Sequence, residues 1–227
     1  MTFVYFILAA LLGYLIGSIP NGYILVRLFK GEDLTKIQSG RTGGTNTFRA
    51  AGARLGVMTV ILDGFKGAGS VWLSRAIFAN ALDYENLMWA TAIAAVCSVI
   101  GHNWSIFLGF KGGAGAATNA GWALALWWPI FPILVVFAVA MFYFIGMASV
   151  MTQLSAVFVI FLLAIRSFIY DAVPYQFVIG AVVSSLFIAW SLRPNFKRIL
   201  EGNERVVGPR AKRIEKRKAK QENKDSL

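Results

Sequence analysis

The chain of 227 residues is 57% hydrophobic and only 15% charged, yet carries a formal net charge of +11. A soluble domain is about 45–50% apolar and about 25% charged, so this composition excludes an ordinary soluble globular protein and fits one membrane domain with a short polar tail. The cations lie between apolar runs and in the tail, which points away from nucleic acid and toward anionic lipid headgroups and phosphorylated substrates.

A bilayer span takes about 20 mostly apolar residues. In chain order such runs cover residues 3–28, 57–79, 88–109, 119–145, 148–168 and 174–192. The first begins with no positive charge and no small-residue cleavage site, so it reads as a retained helix and not a signal peptide. After it come Arg27, Lys30, Lys36, Arg41, Arg49 and Arg54, which place that loop in the cytoplasm and the N-terminus outside. Asp83 and Glu85 suit an outer loop, and the loop with Lys111 returns inside. Cys97, the single cysteine, reads as a small buried hydrophobe.

Six spans would leave the C-terminus outside, whereas residues 193–227 hold twelve Lys/Arg against five Asp/Glu and belong inside. The run 119–145 contains Trp127, Trp128, Pro129 and Pro132. Proline breaks helices and tryptophan favours the interface, so two short segments meeting near Pro129 restore the parity. The expected fold is an all-α polytopic membrane protein of about seven transmembrane helices, some short or broken, with Gly-rich cytoplasmic loops. Residues 1–204 form the membrane domain and 205–227 a basic cytoplasmic tail.

Three polar clusters interrupt the apolar chain, all on the side assigned to the cytoplasm. The first holds Ser39, Gly40, Arg41, Gly43, Thr45, Asn46 and Arg49. Glycines let backbone N–H groups converge on an anion, and arginine grips phosphate through a two-pronged fork. The second runs from His102 through Lys111, Gly112, Gly113 and Gly115 to Thr118, a turn before a new helix whose N-terminus would attract phosphate. The third, from Arg193 to Glu204, offers Asn195 and Arg198. The plainer alternatives are a flexible positive-inside loop for the first, a tight inter-helix turn for the second and a positive-inside anchor for the third. Asp63 and Lys66 stand three apart within a span, where they share a helix face and pair, with a substrate role also open for Lys66. His102 is the only histidine, a buried hydrogen-bonding group or a handler of protons or phosphate.

Some chemistries fall away. One histidine and one cysteine make no zinc cluster, and no G-x-S-x-G elbow occurs. Histidine–aspartate acyltransferases need aspartate five residues after histidine, where Phe107 stands.

Together these residues resemble the bacterial acyl-phosphate-dependent glycerol-3-phosphate acyltransferases of the PlsY family. The resemblance spans about residues 10–204 and rests on Gly17–Tyr23, Ser39-Gly40, Thr45-Asn46, Arg49, Asp63, Lys66-Gly67, Gly101-His102, Phe110–Gly113, Gly115, Ala117-Thr118, Asn195, Arg198, Gly202 and Glu204. It departs from the family pattern at Arg41, usually asparagine, and Gly44, usually alanine. Ala114 stands for a lysine, Ser191-Leu192 for arginine–histidine, and Ser105 for a proline. The resemblance implies acyl transfer from acyl phosphate to glycerol 3-phosphate, giving lysophosphatidic acid and phosphate for phospholipid synthesis, with no metal or organic cofactor. It implies Ser39, Arg49, Lys111 and Asn195 as catalytic residues. Gly40, Arg41, Gly43, Thr45, Asn46, Lys66, His102, Gly112, Gly113, Gly115, Thr118, Arg198 and Glu204 are the candidate phosphate-binding residues. Membrane lipids and the enzyme supplying acyl phosphate are the further partners, nucleic acid is not. A transporter of phosphorylated small molecules and a non-catalytic lipid-binding relative are the alternatives. Polar groups gathered at one face, with the later spans nearly uncharged, favour the enzyme.

Overall fold

The computed structural model describes residues 2–225; of residues 218–220 and 222–225 only the backbone is described. Ten α-helices follow in chain order: α1 (Thr2–Ser18), α2 (Asn21–Lys30), α3 (Gly44–Phe78), α4 (Tyr84–Asn103), α5 (Ala116–Leu126), α6 (Ile130–Phe144), α7 (Ala148–Phe168), α8 (Tyr175–Ser191), α9 (Arg193–Leu200) and α10 (Pro209–Asp225). Among the described residues three runs are long and apolar enough to cross a membrane alone: Thr2–Lys30, Tyr84–Asn103 and Ala148–Phe168. α8 and α9, bent by 60° at their junction, pass the same test only when taken together. Large apolar side chains such as Leu11 and Leu15 of α1, Val136 and Val139 of α6 and Phe161 of α7 lie on outer faces, the surface a bilayer covers.

The first expected run, 3–28, is two helices broken at Ile19-Pro20. Proline lacks an N–H, and a broken helix in a membrane needs other partners for its freed backbone groups. Lys66 of α3 supplies one, and Asp63 holds the Lys66 ammonium and the Asn21 side chain in place. Lys66 Nζ donates to the Ile19 carbonyl at 2.8 Å and pairs with Asp63 Oδ1 at 3.0 Å. Asn21, at the start of α2, donates to the same Asp63 oxygen at 3.1 Å. The buried pair expected from its spacing is therefore present, and it braces the break.

Small residues let the helices that carry the site cross closely. Gly13 and Gly17 of α1 lie so near the backbone of Ala94 and Ser98 on α4 that a methyl group at either would collide with it. Gly121 of α5 meets Gly64 of α3 in the same way. Without hydrophobic contrast between helix and lipid, such contacts supply the packing energy. Trp122, Phe177, Val99, Ile130 and Leu163 fill the buried centre between α4, α5, α7 and α8.

The run 119–145 breaks at Trp127–Pro129, as its residues predict, into α5 and α6. At 11 residues α5 is about 16 Å long, half the hydrocarbon thickness. Other boundaries moved. The second span belongs to a helix starting at Gly44, bent where Gly52 takes φ 86°, and α4 stops at Asn103, short of residue 109. Cys97 is partly exposed, less buried than its apolar run implied.

Candidate active site

Each of the three polar clusters is shaped by its own local chemistry. In the first, Gly31 ends α2 at φ 70°, and Asp33 caps the turn after it by accepting from the Thr35 N–H at 2.9 Å. Asn46, in the first turn of α3, is buried. Its amide nitrogen donates to the carbonyls of Leu34, Ile37 and Arg41, and its oxygen accepts from the Ser39 N–H. In the second cluster, Ser105 and Lys111 pair across a tight turn, and the Gly113 N–H donates to the His102 carbonyl at 2.9 Å. Gly113 lies directly on the His102 imidazole, where a side chain has no room. Gly115, at φ 86°, turns the chain into α5. The Thr42 N–H donates to the Gly112 carbonyl and ties the first loop to the second.

The third cluster closes on a carboxylate. Glu204 accepts from Ser149 at 2.7 Å, Asn195 at 2.9 Å and Arg198 at 3.1 Å. Burial acts to raise the Glu204 pKa, but the three donors and the Arg198 charge hold it below the usual carboxylate value. Arg41 reaches across all three clusters. It donates through Nη1 to the Gly113 carbonyl at 3.0 Å, and through Nη2 to the Ser191 carbonyl at 2.6 Å and Asn195 Oδ1 at 3.1 Å. Burial, then the nearby Arg198, pull the Arg41 pKa down while Glu204 opposes them.

Two cavities result. The larger, of about 320 Å³, lies where the N-termini of α3, α5 and α7 converge, at Gly44-Thr45, Ala116-Ala117 and Ala148-Ser149. First-turn N–H groups of a helix lack intrahelical partners and favour an anion in front of them. Arg49, Arg198 and Arg205 add positive charge at the walls. Arg49 forms no ion pair among the described residues and lines the cavity, with the Glu204 carboxylate near enough to act on its charge. The smaller cavity, of about 270 Å³, is lined by Lys111, Gly112, Gly113, Asn103 and Trp104. Ser39, Arg41, Asn195 and Arg198 line both.

The structure brings the expected residues together with different duties. Ser39, Arg49 and Asn195 line the larger cavity with Gly43, Thr45, Asn46, His102, Gly115, Arg198 and Glu204. Lys111, Gly40, Gly112 and Gly113 line the smaller one, so Lys111 and Arg49 face different chambers. Lys66 lines neither, its ammonium being held by Asp63 and Ile19. Thr118 is buried without a hydroxyl partner and lines neither. His102 stands with Nδ1 3.7 Å from Asp63 Oδ1. Sequence reasoning missed Ser149 and Thr152 at the start of α7, and Gln38. Hydroxyls just after Gly146, at the head of an apolar run, were the available signal for the first two. Arg205, counted with the tail, reaches back to Gln38 Oε1 at 2.5 Å and lines the cavity.

Comparison with known proteins identifies the family. The sequence profile described as Glycerol-3-phosphate acyltransferase matches residues 7–202. The glycerol-3-phosphate acyltransferase of Rubrobacter xylanophilus is 36% identical over 205 residues, covering 90% of this chain and 96% of the relative. Glycerol-3-phosphate acyltransferase 2 of Moorella thermoacetica is 35% identical over 211 residues, covering 90% and 99%. Crystal structures of PlsY, an integral membrane glycerol 3-phosphate acyltransferase, superpose on the chain. The glycerol 3-phosphate form has a TM-score of 0.75 at 28% identity, covering 89% of this chain and 96% of that one. The lysophosphatidic acid form has a TM-score of 0.73 at 26% identity, covering 90% and 96%. The chain is thus an integral membrane protein that belongs to the glycerol-3-phosphate acyltransferase family.

Proposed function

We propose that the chain transfers an acyl group from acyl phosphate to the primary hydroxyl of sn-glycerol 3-phosphate, releasing lysophosphatidic acid and inorganic phosphate. The observation that carries this reading is the larger cavity, where three helix N-termini and Arg49 line one space. Both substrates are anions, and two cavities share a wall, which supports one anion in each. Arg49 and Arg198 hold a phosphate in the larger chamber, with Ser39 and Thr45 adding donors. Lys111 and the Gly112-Gly113 backbone serve the smaller.

In the reaction the hydroxyl oxygen attacks the acyl carbon and forms the ester. The bond from that carbon to the phosphate oxygen breaks, and its electrons leave with phosphate. A phosphate oxygen takes the hydroxyl proton. Acyl phosphate is already activated, so positioning two anions and stabilising charge on the leaving group supply most of the catalysis. The N-terminus lies outside, and the site with the tail lies at the cytoplasmic face. Residues 1–204, with Arg205 at the cavity wall, form the transferring unit, and the basic tail beyond rests on the membrane surface.

The test is phosphate release by purified protein in lipid, given palmitoyl phosphate with and without glycerol 3-phosphate. Release that depends on the acceptor, with lysophosphatidic acid in step, is expected. No release in its presence refutes the reading.

A further inference from the structure

Arg41 stands where the two cavities meet, and its hydrogen bonds join segments 72, 150 and 154 residues away along the chain. Guanidinium grips phosphate bidentately through an edge that includes Nη2, paired either with Nη1 or with Nε. In this chain Nη2 already donates to the Ser191 carbonyl and Asn195 Oδ1, and Nη1 to the Gly113 carbonyl. No intact fork is left for an anion. The acceptors are backbone or near-backbone points on the cavity walls. Ser191 is the last residue of α8, where a carbonyl lacks an intrahelical donor and a cation is favourable. Gly113 precedes Ala114, and Ser191 precedes Leu192; both successors line the larger cavity with side chains that have nothing to donate.

We infer that Arg41 is a positioning residue, a strut that fixes the glycine loop at Gly113 against the end of α8 and so sets the separation of the two chambers. This rests on the two-anion reaction proposed above. The strut binds no substrate itself. It holds the wall that both substrates press against, so its loss changes the distance over which the acyl group passes.

The discriminating variants are Arg41→Lys, which keeps the charge but cannot span the carbonyls, and Arg41→Gln, which loses both. Each is measured in lipid for kcat, for KM of palmitoyl phosphate and of glycerol 3-phosphate, and for thermal stability. A strut predicts that both fall together by about 100-fold, mostly in kcat, the scale of a misplacement of about 1 Å. It also predicts that Asn195→Ala costs less in the Arg41→Gln background than alone. Near-wild-type Arg41→Lys beside an Arg41→Gln with a raised KM for one substrate overturns the inference and makes Arg41 an anion ligand. An activity loss that merely tracks lower stability overturns it as well. If the neutral variant fails to fold, the lysine variant decides. Hydrogen exchange at Gly112–Gly115 keeps the two readings apart. Faster exchange in Arg41→Lys is expected whatever the substrates, unchanged exchange refutes the strut, and an inactive wild type with the faster exchange refutes only the reaction.

Discussion

The two glycine loops are alike in composition and differ in where their polar groups go. In the first, from Ser39 to Asn46, the amide of Asn46 and the guanidinium of Arg41 are taken by carbonyls of the protein. The loop is a self-bonded frame, and Arg49, one helical turn beyond Asn46, is the cation it leaves open to the larger cavity. In the second, from Gly109 to Gly115, backbone bonds and the Arg41 guanidinium on the Gly113 carbonyl make the frame, and Lys111 remains exposed at the smaller cavity. Residue type alone therefore does not separate ligand from scaffold. What separates them is whether the protein already satisfies the group.

That contrast is broken most sharply at Arg49. Arg49→Ala is expected to lower kcat/KM about 1,000-fold, the upper scale of removing a preorganised donor, or about 4 kcal/mol. Its thermal stability should stay near wild type, since no ion pair is lost. A large drop in stability would instead place Arg49 in the frame. Asn46→Ala tests the opposite member. It orphans buried carbonyls and should cost about 3 kcal/mol of stability, read as an earlier melting transition of the purified protein in detergent. Unaltered melting would mean the frame does not depend on this amide.

Lys111→Ala comes next, at about tenfold in kcat/KM, because the side chain is exposed and its charge is screened by water. The loss should shrink further as salt is raised; a loss insensitive to salt contradicts a charge contact. The smallest effect concerns the third cluster. Glu204 has a pKa below its ordinary 4.5 in the folded chain. Its stabilisation is therefore fully present above 4.5 and is lost as pH falls through the lower folded value. Melting followed from about pH 7 to about pH 3 should show an acid-sensitive component in the wild type that Glu204→Gln lacks. Identical acid profiles for the two proteins would remove Glu204 from the linkage.

Much of the fold was legible because bilayer burial leaves a coarse trace: long apolar runs, a tryptophan–proline break, cations gathered between runs. The break at Trp127–Pro129 followed from residue chemistry alone. The break at Ile19-Pro20 was missed even though Pro20 lies in plain view. One apolar run conceals an interruption when distant side chains satisfy it, and Asp63 and Lys66 lie more than 40 residues away.

For the site, the sequence by itself determined which groups gather: glycine, arginine, lysine and hydroxyl residues in three clusters, on a chain too apolar to be soluble. It put Asp63 and Lys66 on one helix face, able to pair, with a substrate role left open; the structure decided for the pair. Only the tertiary structure decided which polar groups are already bonded. Lys66 braces a helix break, Asn46 holds a loop, Arg41 spans three segments, and Arg49 and Lys111 face separate chambers. The reason is physical. A side chain's type states what it can donate or accept, while its partners depend on which distant backbone groups the packing leaves unsatisfied nearby.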